Sequence, residues 1–133
     1  MIVTILIALA GLMGAGGVGL AAAAAHIAPG AGLDGAAYML FFHAAAVVGG
    51  AALVQQGILW RPLGLLVLAA WVLGAALFAG DIAMRAFTAN RLFPMAAPSG
   101  GTILIAAWLA LTGAAICATL RATRVTPPGY SDP

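Results

Sequence analysis

Residues 2–25 read IVTILIALAGLMGAGGVGLAAAAA, a run without a charged side chain or a proline. A bilayer's hydrocarbon core is crossed by about 20 consecutive apolar residues in a helix, so this run is long enough to span it. A secretory signal is the competing reading, because Ala21 to Ala25 would offer small residues for cleavage. No positive residue precedes the run, however, and it exceeds the usual apolar length of a signal. It reads as a first transmembrane helix. Similar stretches follow at about 35–56, 63–84 and 101–120. Of the 133 residues, 65% are hydrophobic and 6% charged, with a mean hydropathy of +1.15. The charged residues are five Arg and three Asp, with no Lys or Glu. A soluble domain needs about 25% charged residues to face water. A soluble enzyme, a nucleic-acid binder and a disordered chain are therefore excluded.

The connections are short. HIAPGAGLDG (26–35) is turn-like, and Asp34 is placed to cap the second helix. GILWRP (57–62) carries Trp60 and Arg61, residues typical of the headgroup level. Thr88 to Gly100 reads as a longer loop, Arg121 and Arg124 as the stop of the fourth helix, and 125–133 as a disordered tail. Short links force antiparallel neighbours. The expected fold is an all-α integral membrane protein. Its single domain, 1–124, holds four antiparallel transmembrane helices in a compact up-down-up-down bundle. Arg61, Arg121 and Arg124 on one side, against Arg85 and Arg91 on the other, favour cytoplasmic termini.

Lipid is as apolar as Leu, so the helices must be held by close packing at small residues. About a quarter of the chain is Ala, and there are 18 Gly. Gly11, Ala15, Gly19 and Ala23 recur every four residues on helix 1; Ala36, His43, Ala46 and Gly50 form a stripe on helix 2. Helix 3 offers Ala70 with Gly74 and Ala76 with Gly80, and helix 4 offers Ala106, Ala110 and Ala114. These faces serve tight packing within the bundle. Their surplus also leaves room for oligomerisation or for docking on another membrane protein.

Few polar residues interrupt the spans. His43 lies about 12 Å along helix 2 from a start near Gly35. An ionisable group at that depth is a functional candidate; the plainer reading is a neutral imidazole bonded to a carbonyl or hydroxyl of the next helix. His26 sits at the end of helix 1, where solvation is the simpler account. Two histidines suit a haem or metal, but these two differ in depth by some two turns, and no other ligand completes a set. No cofactor or metal is expected. Asp81 and Arg85 are spaced as an intrahelical ion pair near the interface, with a gate or proton relay beside His26 as the sharper reading. Trp71 and Trp108 read as packing, Gln55 and Gln56 as a polar helix end, and Cys117 as a small buried hydrophobe.

These residues together resemble a known family. Ala25-His26, Phe41-Phe42-His43-Ala44, Leu77-Phe78-Ala79-Gly80, then Pro98-Ser99-Gly100-Gly101 and Trp108 follow one another in an order similar to small bacterial inner-membrane proteins of the YgdD type, a domain of unknown function. The resemblance covers about residues 5–118. It implies a helical membrane protein without established catalytic activity, in which His26 and His43 match the characteristic histidines and Gly80 the third-helix glycine. Pro98, Gly100 and Gly101 match the loop before the last helix. Leu40 and Phe42 replace a Gln and a Tyr of that pattern, and Asp81 replaces a small hydroxyl residue, as in a divergent member.

The leading expectation is a non-enzymatic protein of the bacterial inner membrane, surrounded by lipid, either a stand-alone bundle or an accessory or structural subunit packing on a larger membrane complex or on its own copies. The alternative is a small oligomeric transporter or channel using His43 and Asp81/Arg85. A haem-binding anchor ranks third. No triad, paired carboxylate or phosphate loop suggests an enzyme.

Overall fold

The computed structural model describes residues 1–125, with side chains through residue 121. Four helices make up the fold: α1 (Ile2–His26), α2 (Leu33–Gln55), α3 (Arg61–Thr88) and α4 (Ala96–Val125). All four are long and apolar enough to cross a membrane. Cross-helix neighbours join the helices in sequence: Gly17 lies against Phe41, Gly50 against Leu68, Gly64 against Val54, and Gly74 against Leu104.

Several boundaries differ from expectation. Asp34 does not cap α2: it lies inside the first turn, and the N-cap is Gly32 in a left-handed conformation (φ 78°) with no side-chain bond. α3 extends to Thr88. The largest change is at α4, which begins at Ala96. The Pro98–Gly101 element is therefore helix, not loop. Pro98 is tolerated there because the first-turn amides have no partner within the helix. α4 runs past Arg121 to Val125, one residue beyond Arg124; the rest of the expected tail lies outside the described residues.

The end of α2 shows how local chemistry sets a boundary. Gly57 takes φ 74°, the Ile58 amide donates to the Leu53 carbonyl, and the Gly57 amide to Val54. This is the helix-ending pattern that glycine adopts without a Cβ penalty. The chain is thereby released into the turn, where the Trp60 amide donates to the Ala114 carbonyl of α4 at 3.2 Å.

The core contains Leu6 and Met13 of α1, Leu40 and Val47 of α2, Val67, Leu68 and Trp71 of α3, and Leu104 of α4. The bundle is not closed. α1, α2 and α3 pack mutually, but α4 brings no Cα within 8 Å of α1 or α2. Its backbone lies along α3 alone, with Trp108 reaching past α3 to α2.

The small-residue faces are also used unequally. On α1 the buried line is Val3, Leu6, Ala10, Met13 and Gly17, while of the expected stripe Gly11, Ala15 and Gly19 are exposed and Ala23 is buried. The physical reason is that larger side chains on the adjacent line fill the space toward α2, with Gly17 receiving the Phe41 ring. A Cβ on Gly17 would come within 2.9 Å of that ring. Gly50 and Gly74 are buried as expected of contact glycines, Ala46 is half-buried, and half-buried Gly80 has only Leu92 within reach, at 3.9 Å.

Candidate functional site

Two glycines meet backbone to backbone where α3 crosses α4. A Cβ on Gly100 would lie 2.6 Å from the Gly74 carbonyl oxygen and 2.7 Å from the Phe78 amide nitrogen; one on Gly74 would lie 3.0 Å from the Gly100 oxygen. Bare backbone meets bare backbone, as small-residue interfaces in membranes allow. This contact brings α4 close enough for its next two turns to reach the interior.

There, His43 is 5% exposed and engaged at both ring nitrogens. Nδ1 is 2.8 Å from the carbonyl oxygen of Met39, one turn earlier in α2. The indole Nε1–H of Trp108 donates to Nε2 at 3.2 Å. A carbonyl only accepts and an indole N–H only donates, so the partners assign the hydrogen to Nδ1 and make the imidazole neutral. Of its two partners, one is a carbonyl of its own helix and the other an indole of α4. The plainer reading had named a carbonyl or hydroxyl of the next helix instead.

Trp71 completes the cluster. Its ring centroid is 4.5 Å from that of Trp108 and 6.4 Å from that of His43. Trp71 is 2% exposed, and its Nε1–H has no acceptor among the described residues. The centre thus contains two indole donors and one imidazole acceptor. Sequence reading treated both tryptophans as packing. Their shared presence in spans carrying a single deep histidine was the signal available.

Asp81 and Arg85 form the expected pair, with Arg85 Nη2 3.3 Å from Asp81 Oδ2. Asp81 has a second role. Its Oδ1 accepts the Leu92 amide at 2.9 Å, fastening the α3–α4 loop to α3. The aspartate is 2% exposed, while the Arg85 side chain is 43% exposed. His26 is exposed at the end of α1. Among the described residues, no hydrogen bond or ion pair joins either histidine to Asp81 or Arg85, and no group of three His, Cys, Asp or Glu residues is placed to hold a metal. Cys117 is a free thiol, half-buried.

Four helices are long and apolar enough to cross a membrane, the class of a multi-pass helical membrane protein, and among the described residues His43 and Asp81 are the buried polar ones. The chain belongs to the DUF423 family, described as a protein of unknown function, whose profile matches residues 20–101. The match takes in the second part of α1, all of α2 and α3, and α4 as far as Gly101. It includes His43, Asp81 and the Gly74–Gly100 contact but not Trp108. No curated protein and no solved structure matches the chain.

Proposed function

We propose that this protein is a non-enzymatic subunit of the bacterial inner membrane, of the YgdD type and a divergent member of it, that packs on a larger membrane complex. The observation that carries this reading is the open face of α1. Gly11 and Gly19 would meet nothing within 4 Å if given a Cβ, and Ala15 between them is exposed. Three small residues at four-residue intervals on a lipid-facing helix allow another backbone to approach, whereas facing lipid needs no such spacing. The termini are assigned to the cytoplasm by the arginine distribution.

The test is mass-spectrometric identification of proteins that co-purify near-stoichiometrically with the tagged chain from its native membrane in mild detergent. A larger partner, lost in a G11L/A15L/G19L variant that still inserts, is the expected result. A wild-type chain that emerges as a monomer rules the reading out. Emergence as a homo-oligomer instead favours the alternative, an oligomeric transporter or channel. In that case His43 and Asp81 would have to break the internal bonds they make, and radiotracer flux in proteoliposomes would have to respond to His43→Ala.

A further inference from the structure

The two ends of the molecule differ in how their charges are disposed. At the end formed by the α1–α2 and α3–α4 connections, Asp34 and Asp81 accompany Arg85 and Arg91, and Arg85 is held by Asp81. At the opposite end, where the α2–α3 turn meets the last turns of α4, Arg61 and Arg121 stand without any acidic residue among the described residues. Both are exposed, and no acidic residue occupies the first turn of α3.

This end is built rather than incidental. The Trp60 amide is anchored on the Ala114 carbonyl, so the turn is fixed to α4. The Arg121 guanidinium carbon lies 4.5 Å from the centroid of the Trp60 ring, a cation–π contact that holds the guanidinium over the residue preceding Arg61. Such stacking covers a face of the guanidinium and leaves its N–H edge available, the geometry that pairs with phosphate oxygens. Tryptophan and arginine together are also what the headgroup layer selects.

We infer that Arg61, Trp60 and Arg121 form a binding site for the phosphate of an anionic phospholipid. The occupant is a lipid because the site lies at the mouth of two candidate spans, where the phosphate layer of the bilayer meets it. The inference rests on the membrane-spanning reading of the four helices.

The experiment reconstitutes the full chain in nanodiscs of equal phosphatidylglycerol and phosphatidylcholine, extracts it gently, and counts retained lipids by native mass spectrometry. Wild type retains phosphatidylglycerol preferentially. The preference falls by about fivefold for each arginine removed in R61Q and R121Q, in line with the contribution of one basic residue near an anionic surface. W60L lowers it by releasing Arg121, and R61K/R121K restores part of it, which separates lost charge from lost folding. R91Q, at the other end, leaves it unchanged. Undiminished preference in R61Q/R121Q overturns the site, and so does loss of retention on adding inorganic phosphate alone, which would make the occupant a free anion. Failure of the wild-type chain to resist carbonate extraction from vesicles instead overturns the membrane reading beneath it.

Discussion

His43 has no bonding capacity to spare: its N–H and its lone pair are each used once, while the Trp71 N–H next to it is unused. An indole that loses its acceptor in apolar surroundings has no water to fall back on, so the Trp108 bond is worth about 1 kcal/mol, the range found between transmembrane helices. Trp108→Phe and His43→Ala should therefore be non-additive by about that amount. Steric-trap or denaturant unfolding of the two single variants and the double variant checks this, and simple additivity contradicts the bond. Asp81 yields a second prediction. Asp81→Ala should speed hydrogen exchange at the Leu92 amide, while Asp81→Asn, which keeps a side-chain oxygen acceptor, should leave it protected although the Arg85 pair is lost. Equal exchange in both variants would show that the amide is protected by something else. The depth of His43 and the Asp81–Arg85 spacing were legible in the sequence because both follow from helical periodicity. Their other partners were not. A backbone amide eleven residues away carries no signature in the sequence, and an indole on another span is placed only by the packing.

At the level of the helices, the spans themselves were plain from hydropathy, but the line of contact on each was not. A glycine permits a close approach without saying which backbone will make it. Gly11 and Gly100 show the difference: the one in the more regular stripe faces outward, and the one expected in a loop lies where two backbones meet. Pro98 and the paired glycines weighed toward loop because both residue types interrupt helices. That weighting overlooks the first turn, where proline costs little, and the gain from letting α3 and α4 meet backbone to backbone. Gly100→Ala should destabilise the fold by about 2 kcal/mol, since both obstructing atoms belong to backbone and cannot rotate away. Gly49→Ala, where a Cβ meets nothing within 4 Å, should be neutral or slightly stabilising in the same helix-rich setting. Thermal unfolding in detergent compares the two, and equal stability of the variants would refute the crossing.

The whole molecule is asymmetric in how it is held together. Short links place successive helices beside one another, but nothing obliges the first helix to meet the last, and α4 has no Cα within 8 Å of α1. α4 is joined to the rest through α3, through the Trp60–Ala114 bond and through Trp108 reaching His43, and only 17% of its apolar window is buried. This has a consequence for biogenesis. As the chain leaves the ribosome, the first three helices already pack on one another, and the fourth then adds the Trp108 donor to His43 and the Gly100 contact to Gly74. Assembly is then a docking step rather than a threading one. Residues 1–90 and 91–133 expressed as separate chains should find each other in the membrane and co-purify, and Gly100→Leu in the second piece should abolish their association. If the first piece is degraded when made alone but rescued by the second, α4 is instead required for the other three to persist.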